Sequence, residues 1–211
     1  MKNAMLGTDF FQRDVLTVAR ELIGVELVWH GCSGVIVETE AYAVEGDAAC
    51  HTAQRPSARE FVRTMPAGTA YVYLNYGMYW LFNLLVKDGT RDGLILIRAL
   101  EPRLGIAEMM VRRRTEKLKA LCSGPGKLAL ALGINGTHHG TINAGRGRPR
   151  EVGLRMGSHA HNAIADVRVG ISKAADHPWR FLAEGNANVS VPHGCVKLHQ
   201  PKPRTGTKKA R

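Results

Sequence analysis

Residues 34–42 read GVIVETEAY, and residues 35–41 of this stretch predict a β-strand. Side chains alternate between the two faces of a strand, so Glu38, Glu40 and Tyr42 share one face. Two carboxylates and an aromatic ring are costly on one face unless that face meets solvent, a partner or a substrate. A carboxylate on a rigid strand beside an aromatic ring is suited to general-base catalysis. From this segment alone, an ordinary solvated sheet face is the better interpretation.

The sequence on either side predicts a strand-rich centre with helices on its flanks. Further strands are predicted at 25–29, 70–74, 81–86, 94–100, 167–171 and 180–183. Asp14 is placed to cap a first helix that stops at Gly24, and other helices are predicted at 106–119 and 127–132. Residues 135–151 are predicted to be mostly loop. This arrangement favours an α+β fold, and 211 residues suffice for one substantial domain but are few for two.

A second informative stretch, residues 70–80, reads AYVYLNYGMYW and holds four of the five tyrosines of the chain. Tyr71 and Tyr73 share a strand face, and the chain can turn sharply at Gly77. A packed aromatic core would suit Trp80 well. It suits tyrosines less, because each buried hydroxyl needs a partner. Flat rings with polar tips suit base stacking, which contributes about 1–3 kcal/mol per base.

Arg98 is the unusual member of the strand GLILIRALEP at residues 93–102. The other side chains on its face, Leu94, Leu96 and Leu100, are apolar. A charge in this position needs a carboxylate, a phosphate or ordered water. An ion pair with Glu38 or Glu101 therefore competes with a role in ligand binding.

Residues 121–127, LCSGPGK, form a glycine-containing turn that enters the predicted helix at 127–132. Such a turn presents backbone N–H groups to an anion. It is not a P-loop, because Leu121 and Leu128 stand where that motif needs Gly and Ser or Thr. A bound DNA phosphate and a plain helix start both fit the spacing.

The charge balance points to a polyanion partner. The chain has 29 lysines and arginines against 18 acidic residues, a formal net charge of +11. The basic residues are partly clustered, which favours a partner over a surface that only aids solubility. The clusters comprise Arg112, Arg113 and Arg114; Arg146, Arg148 and Arg150; and Lys202, Arg204, Lys208, Lys209 and Arg211. We predict a domain over 1–200 and a disordered basic tail over 201–211.

Other composition features exclude several classes. No apolar run approaches the length of a membrane span, and the N-terminus has no apolar signal core, so a cytosolic protein is expected. The four cysteines form no C-x-x-C pair and are expected to be reduced. The nine histidines include no H-E-x-x-H motif, so no metal site is predicted. His138–His139 and His159–His161 are expected in surface loops.

Taken together, VETEAY at 37–42, AYVYLNYGMY at 70–79 and IRALEP at 97–102 resemble the alkyladenine DNA glycosylase family, also called the 3-methyladenine or methylpurine DNA glycosylases. The stretches at 13–24, 121–128 and 168–171 match as well, so the resemblance spans most of the chain in the expected order. It implies a monofunctional enzyme that flips alkylated or deaminated purines out of duplex DNA. The N-glycosidic bond is then hydrolysed to leave an abasic site, without lyase activity. Hypoxanthine, ethenoadenine, 3-methyladenine and 7-methylguanine are the implied bases.

The resemblance assigns the catalytic roles. Glu40 matches the general base that activates the attacking water. Arg98 matches the residue that helps to hold that water, assisted by the backbone near Val169. A water nucleophile leaves the DNA strand intact, and no lysine is identified as a Schiff-base nucleophile.

The resemblance also assigns residues that bind the base and the DNA. Tyr42, His51 and Tyr73 match the pocket that sandwiches the flipped base, and Asn83 matches the position that rejects guanine. Tyr76 matches the wedge that fills the gap left in the duplex. The remaining matches are DNA contacts: Met78 and Tyr79 beside the wedge, and Arg59 and Lys127 as phosphate contacts.

The implied fold is a single mixed domain with a curved antiparallel β-sheet flanked by helices. No cofactor and no metal are implied, the expected partner is damaged double-stranded DNA, and the expected state is a monomer. Location would be cytoplasmic and nucleoid-associated, or nuclear in a eukaryote. Residues 55–65 match poorly and residues 135–166 only faintly, which bears on substrate range and DNA footprint more than on the reaction.

Three other functions stay open at this stage. A non-catalytic nucleic-acid-binding module would use the tyrosines only for stacking. A hydrolase of free nucleosides or sugars would use Glu38 and Glu40 as its carboxylate pair, although residues two apart on one strand point the same way and suit that chemistry poorly. A purely structural interpretation places the tyrosines in the core.

Overall fold

The structure, a computed structural model, describes residues 4–141, 151–157 and 161–197. Four helices occur in this part of the chain: α1 Val15–Glu21, α2 Pro56–Thr64, α3 Ile106–Arg113 and α4 Pro125–Leu132. The strands are β1 Glu26–Trp29, β2 Cys32–Ala43, β3 Ala70–Asn75, β4 Tyr79–Val86, β5 Gly93–Leu104, β6 Val152–Arg155, β7 Ala163–Asp166 and β8 Arg180–Ala183. Short 3₁₀ turns lie at Thr8–Phe11, His51–Ala53, Leu118–Ala120 and Gly136–His138.

The strands form one antiparallel sheet in the order β3-β4-β5-β2-β1-β6, and β8 joins β2 to β7. β2 is long enough to pair with β1 near its start and with β8 over Glu38–Glu40. The sheet is strongly curled into a half-barrel within a single mixed domain. The predicted α+β fold with a curved antiparallel sheet and flanking helices is therefore confirmed.

The start of the first helix was predicted correctly from the sequence around Asp14. The Asp14 side chain accepts hydrogen bonds from the backbone N–H groups of Leu16 and Thr17, at 3.1 and 2.9 Å, and so caps α1. The apolar face of α1 lies in the main core. Trp29 and Phe82 pack there with their rings 5.5 Å apart.

Two predicted elements are wrong: one helix ends earlier than predicted, and one predicted strand is not formed. The helix predicted at 106–119 ends at Arg113, because Arg114 adopts a left-handed conformation with φ 50°. Residues 167–171 are not a strand, and the strand lies at Ala163–Asp166 instead. The backbone N–H groups of Val167 and Val169 bind the carboxylates of Asp166 and Glu40, so they are not available to a strand partner.

Three irregularities interrupt the long β2–β5 ladder, and two of them lie next to each other at the site. Ile36 pairs with Leu100 and Glu38 with Ala99, which leaves Val37 as an extra residue on β2. Thr39 then pairs with Ile97, which leaves Arg98 as an extra residue on β5. Bulges of this kind bend a strand and re-aim a side chain. Here the two bulges lie side by side and turn Arg98 towards the glutamates of β2.

Several sequence predictions fall outside the described residues. The basic cluster at 146–150 and the tail at 201–211 are among them. The predicted boundary between a domain at 1–200 and that tail stays a prediction. The four cysteines are free thiols, and Cys32, Cys50 and Cys122 are buried.

Candidate active site

Glu40 is the centre of the site, with none of its surface exposed. Its Oε2 accepts a hydrogen bond from the Tyr42 hydroxyl at 2.7 Å. Its Oε1 accepts one from the Val169 backbone N–H at 2.7 Å and lies 3.4 Å from Nη1 of Arg98. These contacts fix the orientation of the carboxylate. An ionised carboxylate has about four acceptor positions, so one position on Oε2 is left for a further donor such as water.

Arg98, the bulged residue of β5, is shared between two carboxylates. Its Nε donates to Oε1 of Glu38 at 3.2 Å, and its Nη1 faces Glu40. Burial lowers the pKa of Arg98, but Glu40 and Glu38 together raise it by more, so the net shift is upward. The ion pair with Glu38 considered from the sequence therefore exists. The alternative with Glu101 is wrong, since that side chain pairs with Arg103 at 2.9 Å.

Glu38 anchors a second network behind the site. It is fully buried and accepts hydrogen bonds from Nε of Arg180 at 2.7 Å and from the Ser190 backbone N–H at 2.6 Å. Arg180 continues to Asp166 at 3.1 Å. The interpretation of this face as a solvated sheet face is therefore wrong. Glu38 meets two buried guanidinium groups, whereas Glu40 lies beside a cavity.

The cavity has a volume of about 720 Å³, within the usual range of small-molecule sites, about 300–1,000 Å³. Its wall includes Tyr42 and Val169, which donate hydrogen bonds to Glu40, and Arg98, its ion-pair partner. All five predicted pocket residues line it, namely Tyr42, His51, Tyr73, Asn83 and Val169. Leu81, Leu94 and Leu96 add apolar surface. The site is therefore an aromatic and apolar cavity, and the buried Glu40 carboxylate lies behind its wall, in contact with three of the residues that line it.

The aromatic side chains of the cavity are held by specific contacts. The rings of His51 and Tyr73 lie 4.3 Å apart in an edge-to-face arrangement. Asn83 donates through Nδ2 to the carbonyl oxygen of Tyr71 at 3.0 Å, which fixes its amide. Burial raises the pKa of Tyr73 to about 12, and burial and Glu40 raise that of Tyr42. Both hydroxyls therefore remain protonated at neutral pH.

His51 is a neutral histidine in this setting. Burial, and then the nearby Arg55 guanidinium, lower its pKa from 6.5 to about 4. Its Nδ1 lies 3.1 Å from the Tyr71 hydroxyl, a hydrogen bond that holds the ring in place. The side chain therefore offers a fixed, uncharged ring to the cavity.

This depressed pKa predicts a loss of stability in mild acid. The unfolded chain takes up a proton at His51 below pH 6.5, whereas the folded chain does so only near pH 4. Between pH 7.5 and pH 5 we expect the wild type to lose about 1 kcal/mol more unfolding free energy than His51→Gln, because solvent around the partly exposed ring screens part of the full effect of this shift. Urea denaturation of both proteins at the two pH values measures the difference. Equal losses would contradict the assigned pKa.

The β3–β4 hairpin places an exposed apolar tip at the mouth of the cavity. Tyr76 is 84% exposed, Met78 67% and Tyr79 52%. Tyr76 and Gly77 both have positive φ, 49° and 69°, as the central residues of a type I′ turn require. The left-handed conformation costs a residue with a side chain roughly 1–2 kcal/mol. The fold therefore holds Tyr76 outward at some cost, and exposed apolar surface of this kind marks an interaction site.

The two predicted phosphate contacts have different surroundings. Lys127 lies in the first turn of α4 and lines the cavity with Gly124, Pro125 and Gly126. Arg59 does not line the cavity, and its Nη1 donates to the carbonyl oxygen of Thr52 at 2.6 Å. The position of Lys127 suits the backbone of a strand whose base enters the cavity. The phosphate role of Arg59 stays a prediction.

Sequence reasoning gave no role to two arginines that contact the aromatic wall. The guanidinium of Arg55 lies 5.6 Å from the ring centroid of Tyr73, and that of Arg168 lies 4.7 Å from that of Tyr42. Arg55 falls in a stretch with little resemblance to the family. Arg168 lies beside Val169 in a stretch that resembles the family, and this position is the feature of the sequence that could have identified it as a site residue.

Two further features concern the described residues as a group. None of their helices combines the length and the apolar character needed to cross a membrane. Within the same residues, no three histidine, cysteine, aspartate or glutamate side chains come together as metal ligands would.

Comparison with known proteins agrees with the geometry of the site. The family described as methylpurine-DNA glycosylase matches residues 9–187. A relative from Rhodopseudomonas palustris (strain HaA2) is 44% identical over 184 residues, covering 87% of this chain and 89% of the relative. One from Agrobacterium fabrum (strain C58) is 46% identical over 182 residues, covering 86% and 90%. Both carry the name "Putative 3-methyladenine DNA glycosylase". With this match over most of its length, the chain belongs to the methylpurine-DNA glycosylase family.

Proposed function

We propose that the protein flips alkylated or deaminated purines out of duplex DNA and hydrolyses their N-glycosidic bond with a water activated by Glu40. Family membership gives the coarser statement, a DNA glycosylase of base excision repair whose substrate is damaged DNA. The observation that carries the finer one is the buried Glu40 carboxylate, whose two hydrogen-bond donors and ion-pair partner all line the aromatic cavity. We propose that it works as a monomer on DNA in the cytoplasm, without a metal or cofactor.

Base flipping is supported by the hairpin tip and the cavity together. Tyr76 enters the stack at the position that the damaged nucleotide vacates. Unstacking costs a few kcal/mol, and less for damaged or mispaired bases, which contributes to selectivity. Stacking of the flipped base in the cavity with Tyr42 and Tyr73 offsets much of that cost. The Asn83 amide, held by its bond to Tyr71, crowds the position of the exocyclic amine of guanine.

Bond cleavage is supported by the setting of Glu40. The breaking bond leaves positive charge on the sugar, which the carboxylate stabilises. The free acceptor position on Oε2 takes a proton from the attacking water, and Arg98 helps to orient that water. Cationic bases such as 3-methyladenine leave as neutral molecules without an acid, whereas neutral bases such as hypoxanthine and ethenoadenine must take up a proton as they leave. The products are a free base and an abasic site in an intact strand, so we propose no lyase activity.

The test is release of base from defined DNA. The protein is incubated with a duplex oligonucleotide that contains one hypoxanthine or ethenoadenine, and separately with methylated DNA. Strand cleavage only after alkali, absent from the undamaged duplex, is the expected result. Cleavage without alkali would contradict the monofunctional proposal. Binding without base loss would favour the non-catalytic alternative, and preference for free nucleosides would favour a nucleoside hydrolase.

Tyr76→Asn should change stability and activity in opposite directions. Asn tolerates the left-handed conformation better than Tyr, so unfolding free energy should rise by up to about 1 kcal/mol. Loss of the wedge should lower the single-turnover excision rate by about tenfold or more, because the flipping equilibrium loses a few kcal/mol. Rapid-quench kinetics and urea denaturation measure the two effects. Leu104→Ala, which truncates an exposed apolar side chain at the end of β5, is the control. A wild-type excision rate in Tyr76→Asn would refute the wedge.

A further inference from the structure

Arg168 and Asp47 form a fully buried ion pair beside the candidate active site, with no exposed side-chain surface on either partner. Nη1 of Arg168 donates to Oδ2 of Asp47 at 2.5 Å, and Nη2 donates to Oδ1 at 2.9 Å. Two further donations, both at 3.0 Å, reach the carbonyl oxygens of Ala41 and Ala174. Only a planar, forked guanidinium supplies this set of contacts at once.

Each partner of the pair touches a different support of the site. Arg168 directly precedes Val169, the residue whose N–H donates to Glu40. The Ala41 carbonyl that Arg168 binds lies between Glu40 and Tyr42 along β2. The guanidinium also lies against the Tyr42 ring, 4.7 Å from its centroid. One cation therefore contacts the backbone that carries both donors to Glu40, Tyr42 and Val169.

Asp47 extends the same arrangement towards His51. Its Oδ1 accepts a hydrogen bond from the Ala49 backbone N–H at 3.0 Å. Its backbone carbonyl oxygen accepts a hydrogen bond from the Cys50 backbone N–H, also at 3.0 Å. These bonds shape the turn that leads into His51, on the wall of the cavity. The ion pair thus joins the His51 turn to the Glu40 strand.

Folding stability alone gives a weak reason for this pair. Desolvation of two charges offsets much of their attraction, so a buried ion pair contributes little compared with apolar packing. Within the described part of the chain, Nε of Arg168 also has no hydrogen-bond partner, a further cost. The pair has a clear geometric effect, because it joins the turn before His51 to the strand that carries Glu40 and Tyr42.

We propose that Arg168, held by Asp47, is a positioning residue for base excision, which sets the orientation of Glu40 through Val169 and supports the Tyr42 ring from behind. This inference rests on the proposed function. It adds a role for two residues that touch neither the base nor the water. A small misplacement of a catalytic group lowers rate steeply, by about 10²-fold for 1 Å.

The experiment compares Arg168→Lys with wild type and with a matched control. Arg155→Lys removes another paired guanidinium, bound to Glu26 at 2.6 and 3.1 Å at the β1–β6 edge of the sheet. Single-turnover release of ethenoadenine, melting temperature, and Kd for a duplex with a tetrahydrofuran abasic analogue are measured for each. We expect a rate loss of about tenfold or more in Arg168→Lys, with Kd within about threefold of wild type. Arg155→Lys should retain the wild-type rate.

A double-mutant cycle separates positioning from a structural role. Tyr42→Phe removes the hydroxyl that holds Oε2 of Glu40, so its rate loss and that of Arg168→Lys should combine to less than their product. The inference would be overturned if the rate loss of the double variant equalled the product of the two single losses. It would also be overturned by a wild-type rate in Arg168→Lys, or by a rate loss that weaker DNA binding explains. If Arg168→Lys does not fold, Asp47→Asn replaces it in the same comparisons. Absence of excision by the wild type would instead overturn the proposed function, and this inference with it.

Discussion

Replacement of Glu40 by Gln is expected to lower the single-turnover rate of base release by about 10²–10⁴-fold, the usual contribution of a general base. The amide keeps the shape of the side chain, and its oxygen still accepts from the Val169 N–H. The Tyr42 hydroxyl can rotate to accept from the new NH₂ group. The variant loses the carboxylate oxygen that accepts the proton from water. Rapid-quench assays with enzyme in excess measure the rate.

Binding should be nearly unchanged in the same variant, and folding should be weakened less than in Glu38→Gln, because Arg98 keeps its hydrogen bond to Glu38. The Kd for duplex with an abasic analogue and the urea midpoint provide these controls. Glu101→Gln is the matched substitution, since that half-buried carboxylate on β5 pairs with Arg103 away from the cavity. A Glu40→Gln protein that still releases ethenoadenine at the wild-type rate would exclude Glu40 as the base.

Glu38→Gln is expected to affect stability more than catalysis, with a loss of about 3–5 kcal/mol of unfolding free energy. The buried guanidinium groups of Arg98 and Arg180 both donate to Oε1 of Glu38. The neutral amide leaves them with less compensating charge, and its NH₂ group faces donors. Urea denaturation at pH 7.5 measures the change.

The contrast between the two glutamates is itself a test. They lie two residues apart on one strand face, are equally buried, and both contact Arg98. If Glu38→Gln were as stable as Glu40→Gln, the division into a structural and a catalytic carboxylate would be wrong. Excision by residual folded Glu38→Gln, normalised to active enzyme, should stay closer to wild type than that of Glu40→Gln.

Much of the fold follows from short-range sequence features. The alternation in β2 correctly placed Glu38, Glu40 and Tyr42 together, and Asp14 correctly marked the start of α1. These predictions succeed because cap and strand periodicity depend on neighbouring residues. The resemblance to the family also named residues that line one cavity, although their roles are proposals.

What could not be predicted depends on contacts between distant parts of the chain. The burial of Glu38 needs Arg180 and Ser190, which lie more than a hundred residues away along the chain. Residues 167–171 have a strand-like composition, but the Val169 N–H is taken by Glu40. The role of Arg168 depends on Asp47, a partner 121 residues away that no local pattern identifies.

The paired bulges at Val37 and Arg98 also constrain how this sequence can change in length. Because each strand carries one extra residue at the site, the pairing directly on either side of it is in phase. Deleting Val37 alone would shift half of β2 by one step and exchange its core and outer faces. Deleting both residues would restore the phase but remove the arginine. A change of length beside the site therefore preserves both faces of β2 only when it occurs as a compensating pair, one residue on each strand.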